Sequence, residues 1–254
     1  MEKTQRALND AYAEWKSIIP SSGLNLEEFT APYLLNVTPG YASAERRVLI
    51  IGQESGDWDW VKEELCKPGW DYPPYPFADI RTLGDFIRND DAIKALTWGY
   101  EHFRFGCAQR IAGRGFWRGF HGLASGCPAV MAANVAKCHS RKGDEVVPNL
   151  SPKEFQSFAA AQKKLLREEI EILRPDVCIF LSGPNYDGLI ANSFPDAVCE
   201  PVADIPVNVF ARIKRPPLPI ETFRTYHPNA RWKNAKQYRD RVRDILKNLI
   251  PVET

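Results

Sequence analysis

The sequence lacks a long hydrophobic run, a C-x-x-C pair and any marked excess of one charge sign. No apolar stretch approaches the roughly 18 residues that a membrane-spanning helix needs, and the polar N-terminus leads into no signal-like segment. We therefore expect a cytoplasmic monomer with no membrane partner. The six cysteines are scattered, which in a reducing compartment is typical of buried positions rather than a disulfide framework. Their spacing indicates no metal site, although ligands from distant segments stay an alternative, and no cofactor is expected.

Charge is balanced overall, at a formal net value of +1, but it is unevenly distributed along the chain. Residues 102–143 contain seven basic side chains and no acidic one, and residues 209–247 contain eleven basic against three acidic. Residues 54–101 have the opposite bias, with eleven acidic side chains against five basic. The basic stretches indicate either pairing with the acidic segment after folding or a face that binds phosphates.

The order of the predicted elements indicates an α/β fold. Four short, mainly apolar runs are typical of strands and lie at 47–52, 129–134, 177–183 and 222–227, with 207–213 as a further candidate. Helices are predicted at 4–19, after the capping box that starts at Ser151, and near the C-terminus. Strands that alternate with helices predict a three-layer α/β domain with a central parallel sheet of about four strands flanked by helices. We expect one domain over 1–254, with 1–45 as an N-terminal helical extension.

Polar side chains follow these predicted strands. Gln53 and Glu54 come directly after the first strand, Asn134 ends the second and His227 ends the fourth. In open parallel sheets, ligands bind outside the carboxyl ends of the strands. We therefore expect an amide, a carboxylate and an imidazole to meet at one crevice.

Three of these segments resemble motifs of the uracil-DNA glycosylase superfamily. Gly52-Gln53-Glu54-Ser55-Gly56-Asp57-Trp58 is similar to its first motif, and Asn134-Val135-Ala136-Lys137-Cys138 to the Asn-Val-Val-Lys-Cys stretch of the iron–sulfur branch. His227-Pro228-Asn229-Ala230-Arg231 is similar to the closing His-Pro-Ser-x-x-Arg motif. The resemblance covers roughly residues 46–249 as a fold. It implies a DNA glycosylase of base-excision repair that removes uracil or a related deaminated base.

The sequence departs from those motifs at four places. Ser55 replaces the usual proline, Asn229 replaces the usual serine, and Gly56 stands where the classical branch has a tyrosine that excludes thymine. The further cluster cysteines of the iron–sulfur branch are missing around Cys138, so we interpret Cys138 as a core residue and expect no cluster. Discrimination against thymine is therefore not implied.

The resemblance also implies roles for individual residues. Glu54 is the catalytic carboxylate that stabilises positive charge on the sugar and orients a water, and His227 donates to the base oxygen where negative charge collects. Base contacts are expected from Gln53, Asn134, Gly56 and Trp58, and DNA contacts from Arg231, Lys137 and Arg141. An aromatic lid is expected within 57–77, with no single residue preferred.

Other interpretations compete with this one. Glu54 is also compatible with a helix cap, Asn134 with a loop bridge and His227 with a turn, while His139 is interpreted as structural. For the chain as a whole, Ser55 and Asn229 favour a catalytically silent nucleic-acid-binding protein with a glycosylase-like fold. A third candidate is an enzyme that acts on free nucleosides or nucleotides, since parallel sheets host many functions.

Overall fold

A six-stranded sheet with helices on both faces forms the centre of the computed structural model, which describes residues 1–55, 79–105, 115–124, 126–142, 146–228, 230 and 233–251. The strands are β1 (Val48–Glu54), β2 (Val130–Ala136), β3 (Val177–Phe180), β4 (Val198–Pro201), β5 (Phe210–Lys214) and β6 (Glu221–Thr225). The helices are α1 (Glu2–Ile18), α2 (Pro39–Ser43), α3 (Leu83–Arg88), α4 (Ala92–Phe105), α5 (Gly115–Ala124), α6 (Pro152–Gln162), α7 (Leu165–Leu173), α8 (Asp187–Ser193) and α9 (Lys233–Lys247). Short 3-10 turns lie at Ile19–Ser21, Leu26–Glu28, Val147–Asn149 and Pro184–Tyr186.

The strand order is β2-β1-β3-β6-β5-β4. The first four strands in this order are parallel and correspond to the four strands predicted from the sequence, so the α/β class is confirmed. The prediction of a parallel sheet of about four strands was incomplete, because β5 and β4 extend it by antiparallel pairing into a mixed sheet. β4 carries no buried apolar run, since it lies at the sheet edge with Val198 55% exposed and a proline at its end. β4 therefore has no apolar run from which the sequence could predict it.

The two faces of the sheet carry separate apolar clusters. Leu49 and Ile51 of β1 belong to a cluster shared with α1, α6, α7 and α8, whereas Val48 and Ile50 belong to one shared with α5 and α9. Alternate residues of a strand point to opposite faces, so a strand covered on both sides needs an unbroken apolar run. The run from Val48 to Ile51 is fully buried, as this arrangement requires.

The N-terminal segment packs into one of these clusters. The helix predicted at 4–19 is found at Glu2–Ile18, and its Leu8, Tyr12 and Trp15 are buried in the same cluster as β1. The Trp15 indole donates to the Ala161 carbonyl at 2.9 Å. Among the described helices, none combines the length and the apolar character needed to traverse a bilayer.

The register of the parallel strands brings their carboxyl ends level with one another. Gly52 of β1 pairs with Asn134 of β2, and Ile51 pairs with Phe180 of β3, which in turn pairs with Arg224 of β6. Residues that follow these positions therefore gather at one edge of the sheet, where ligands of open α/β sheets bind.

Candidate active site at the carboxyl ends of the parallel strands

The carboxylate of Glu54 joins the segments that follow three neighbouring strands. Tyr186, which follows β3, donates its hydroxyl to Oε1 of Glu54. His139, which follows β2, places Nδ1 at 2.9 Å from Oε2, and the backbone N–H of Val147 donates to the same oxygen at 3.4 Å. The Glu54 side chain is only 7% exposed. These contacts fix the orientation of a nearly buried carboxylate at the end of a central strand.

Tyr186 is suited to act as a donor in this cluster. Burial, with the adjacent charge of Glu54, raises the pKa of Tyr186 far above its usual range. The phenol therefore keeps its proton at any physiological pH. Since a carboxylate only accepts hydrogen bonds, the protonated phenol is a matched partner for Oε1.

The backbone around His139 is held by Thr30, which precedes β1 in the chain. The His139 N–H donates to the Thr30 hydroxyl at 2.9 Å, and the Thr30 N–H donates to the His139 carbonyl at 2.9 Å. The Thr30 hydroxyl is also 3.1 Å from that of Ser55. Ser55, at the position where the resembled motif has proline, thus connects the end of β1 to the segment that carries His139.

The side chain of Gln53 is hydrogen-bonded to the segment that follows β3. Its Nε2 donates to the Ser182 carbonyl at 2.9 Å, across the gap between the ends of β1 and β3. This bond uses one of the two N–H donors of the amide, so the second N–H, Oε1 and the backbone amide of Gln53 are the groups left for the predicted base contact. Gln53 and Glu54 were expected to follow the first strand, whereas β1 extends through both of them and ends at Glu54.

Gly52, Asn134 and Phe116 pack tightly at the edge of the sheet. A Cβ atom on Gly52 would lie 2.7 Å from Oδ1 of Asn134 and 2.8 Å from the Phe116 ring, so any larger residue would force one of these side chains to shift. Asn134 is 7% exposed, and its register partner is Gly52. The first predicted motif and the predicted base-reading amide are therefore in direct contact.

His227 lies in a turn that packs against helix α5, close to Gly119. A Cβ on Gly119 would come within 2.0 Å of the Pro228 ring, so the turn that holds His227 contacts α5 directly. Phe116, which packs at the Gly52–Asn134 contact, and Gly119, which packs at the His227 turn, are three residues apart on α5. Burial lowers the pKa of His227, which favours the neutral imidazole at pH 7.

The structure brings four of the predicted residues, Gln53, Glu54, Asn134 and His227, to the carboxyl edge of the parallel strands. Glu54, Gln53 and Asn134 lie together at the ends of β1 and β2. His227 lines a cavity between α5 and α9 whose described lining includes neither Glu54 nor Asn134. Gly56, Trp58, Arg231 and the aromatic side chains of 57–77 lie outside the described residues.

Lys137 does not have the predicted role of a DNA contact. Its side chain is 1% exposed and its ammonium pairs with Glu169, which is fully buried. The backbone N–H of Lys137 donates to Gln162 at 3.1 Å, so both parts of this residue are held inside the protein. Arg141 is exposed, in agreement with a surface role, and Cys138 is fully buried, as expected of a core residue.

Two members of the cluster were missed by sequence reasoning. The sequence predicts a structural role for His139 and no role for Tyr186, although each follows a predicted strand by only a few residues. Their proximity to strand ends is the signal that was present in the sequence. Their convergence on Glu54 depends on the strand order β2-β1-β3, which no local pattern encodes.

No known family model matches this chain, and a search of curated proteins finds no similar sequence. The resemblance to the uracil-DNA glycosylase superfamily therefore depends on the motifs and their placement. Within the described residues, no group of three or more histidine, cysteine, aspartate or glutamate side chains is arranged to hold a metal ion.

Proposed function

We propose that this protein is a DNA glycosylase that hydrolyses the N-glycosidic bond of uracil or a related deaminated base in DNA. The observation that carries the proposal is the oriented carboxylate of Glu54, which lies next to the Gly52–Asn134 contact at the carboxyl end of the sheet. A carboxylate at that place, with an amide beside it, supplies the groups that cleavage of a pyrimidine nucleoside needs.

The proposed reaction follows from the charges that develop. As the bond between C1′ and N1 breaks, its electron pair stays on the base and the sugar becomes an oxocarbenium-like cation. Glu54 stabilises that cation and accepts the proton of the water whose oxygen bonds to C1′. Tyr186 and His139 keep the carboxylate in place, so that little reorganisation is needed during the reaction.

Asn134 and His227 act on the base in this proposal. The amide of Asn134 offers one donor and one acceptor, which matches the edge of uracil and opposes that of cytosine. The neutral imidazole of His227 donates a hydrogen bond to the base oxygen that gains negative charge. Burial lowers the pKa of His227, so the donor carries no charge that a buried site would have to accommodate.

The direct test is base release. The protein is incubated with single- and double-stranded oligonucleotides that contain uracil, hypoxanthine or xanthine, and abasic sites are then cleaved with alkali. Cleavage at the modified position, with none in an oligonucleotide that contains only ordinary bases, is the expected result. The absence of product from all three bases would refute the proposal.

A catalytically silent nucleic-acid-binding protein is the second candidate, and the engagement of Glu54 favours it. Both carboxylate oxygens already accept hydrogen bonds, and the side chain is 7% exposed. This candidate predicts DNA binding that weakens with salt, with no base release from any oligonucleotide. A mobility assay at low salt, run beside the cleavage assay on the same oligonucleotides, separates the two functions.

A further inference from the structure

A second candidate site lies between helices α5 and α9, at the end of β3 and β6. It is a cavity of about 300 Å³. Its floor is aliphatic, formed by Leu123, Leu181, Val209, Val242 and Leu246. The charged residues among its described lining are Arg118, Arg239 and Arg243, and no acidic side chain is among them. An apolar floor under cationic side chains is suited to an anion with an apolar body.

Two arginines of the lining, Arg239 and Arg243, lie on α9 and have weak or exposed contacts with their neighbours. The Arg239 guanidinium donates to the Ala230 carbonyl at 3.4 Å, and Ala230 itself lines the cavity. Arg243 pairs with Asp240 at 2.9 Å and with Asp244 at 3.8 Å, and these carboxylates are 80% and 70% exposed. Ion pairs that are this exposed stabilise a protein very little. A bound anion can therefore compete for Arg243 at small cost.

We propose that this cavity binds a phosphate monoester that carries a nucleoside-sized body. Arginines are the only charged residues in the described lining, and the dianion of a phosphate monoester offers them more strong acceptor oxygens than a single carboxylate does. About 300 Å³ is at the small end of known ligand sites, which fits one mononucleotide better than a dinucleotide. The sugar and base lie over the aliphatic floor in this arrangement, and the phosphate lies at the arginines.

This site goes beyond the proposed glycosylase activity. Of its described lining, His227 is shared with the proposed reaction, whereas Glu54 and Asn134 are not part of it. Binding can therefore be measured whether or not the protein releases a base. Two sources supply the ligand chemistry: a free nucleotide, and the terminal phosphate of a nucleic-acid strand.

Titration calorimetry with defined probes tests the proposal. Deoxyuridine monophosphate is expected to bind at least about tenfold more tightly than deoxyuridine or inorganic phosphate alone, because only the monophosphate engages both floor and arginines. The second probe is an oligonucleotide with or without a 5′-phosphate. If only the phosphorylated form competes with the mononucleotide, the site is assigned to strand ends. Mononucleotide binding without such competition assigns it to free nucleotides. If neither the mononucleotide nor the 5′-phosphorylated oligonucleotide binds, the proposal is overturned.

Matched substitutions locate the binding. Gly122 lines the cavity, and a Cβ there would meet no atom within 4 Å, so Gly122→Leu fills open space and Gly122→Ala fills very little. Gly122→Leu is expected to abolish binding, and Gly122→Ala to preserve it. Thermal melting confirms that both variants fold.

The second pair of variants tests the cationic rim. Arg239→Gln is expected to weaken binding of the monophosphate about tenfold. Arg241→Gln is the control, because Arg241 lies on the same helix, pairs with Asp204 at 2.5 Å and is not among the lining residues. Equal weakening by the two changes, or binding that survives Gly122→Leu, would assign the affinity to general surface charge and overturn the site. Glu54→Gln, which does not change the cavity, is expected to bind the monophosphate as the parent does. Nucleotide binding is thereby separated from any loss of glycosylase activity.

Discussion

Two glutamates of this protein have similar partners and different surroundings. Glu169 on α7 is fully buried and contacts the Lys137 ammonium and the Tyr12 hydroxyl, the latter at 3.0 Å. Glu54 contacts His139 and the hydroxyl of Tyr186 at the end of β1. Each carboxylate is therefore held by one tyrosine and one basic side chain. The two carboxylates differ in their position in the fold and in the exposure of their basic partners.

The Glu169 cluster connects three elements in the interior. Tyr12 of α1 also accepts the backbone N–H of Leu35 at 3.0 Å, and Lys137 follows β2 directly. Burial raises the pKa of Glu169, and the neighbouring ammonium counteracts that rise. With no access to solvent, this cluster can stabilise the packing of α1 and α7 but cannot meet a substrate.

The Glu54 cluster differs because its basic partner reaches the surface. The His139 side chain is 19% exposed, whereas that of Lys137 is 1% exposed. A glutamate held by a tyrosine and a basic residue is therefore a structural support in the interior, where the base is Lys137, and a candidate reaction centre at the strand ends, where the base is His139.

The largest expected effect is on stability and concerns the interior cluster. Lys137→Met leaves Glu169 buried without its counter-charge, and breaking a buried pair in this way costs about 3–5 kcal/mol of unfolding free energy. Urea unfolding monitored by circular dichroism measures it. The double variant Lys137→Met with Glu169→Gln removes both charges and is expected to recover most of the loss. A single variant as stable as the parent would show that the pair is not structural.

The second effect is on activity and concerns the strand-end cluster. Glu54→Gln keeps the shape of the side chain but removes its charge, and base release is expected to fall ~10²–10³-fold, or about 2.7–4 kcal/mol. DNA binding and unfolding free energy should change little. Glu200→Gln, a change at a carboxylate that is 43% exposed on β4, is the control and should leave activity intact. Equal losses of binding and turnover would contradict the catalytic role of Glu54.

The third effect separates orientation from proton transfer at His139. His139→Asn retains a donor near the position of Nδ1, while His139→Leu removes it. If His139 orients Glu54, the leucine variant is expected to lose ~10–100-fold in turnover, within the range that positioning contributes, and the asparagine variant much less. Single-turnover cleavage of a uracil-containing oligonucleotide measures both. Equal losses in the two variants would assign the proton-handling role to the imidazole itself.

A smaller effect on stability is expected from Gly52→Ala. The added methyl would lie 2.7 Å from Asn134 Oδ1 and 2.8 Å from the Phe116 ring, and overpacking of this kind costs about 1–3 kcal/mol. Gly122→Ala, which meets no atom within 4 Å, is the matched control and should be neutral or slightly stabilising. Thermal melting of both proteins gives the comparison. Equal melting temperatures would show that the Gly52 contact can relax.

The smallest effect is the pH dependence that His227 contributes. Burial lowers the pKa of His227 from its ordinary value near 6.5, so below that pH the unfolded chain binds more protons than the folded one. This contribution to stability is fully present above pH 6.5 and is lost as the pH falls toward the folded pKa. His227→Gln is expected to flatten the stability curve below pH 6.5, as measured by urea unfolding at a series of pH values. An unchanged slope would contradict the buried, neutral imidazole.

Much of the sheet was predictable because its parallel strands are covered on both faces. Unbroken apolar runs such as Val48–Ile51 leave a strong local pattern, and polar residues that follow them mark the strand ends. The contact of Gly52 with Asn134 also needed the pairing of β1 with β2, which the local pattern does not give. The edge strand β4 and the burial of Lys137 were not predictable, because one lacks an apolar pattern and the other needs a partner 32 residues away.

The sequence by itself determined which segments become buried strands and which polar residues follow them, since hydrophobic periodicity is a local property of the chain. Only the tertiary structure decided that β1 lies between β2 and β3, and hence that His139 and Tyr186 meet at Glu54 while Lys137 turns inward to Glu169. Strand order depends on the packing of helices against both faces of the whole sheet. Two chemically similar clusters therefore differ in exposure, because long-range packing leaves His139 partly exposed and buries Lys137 and Glu169.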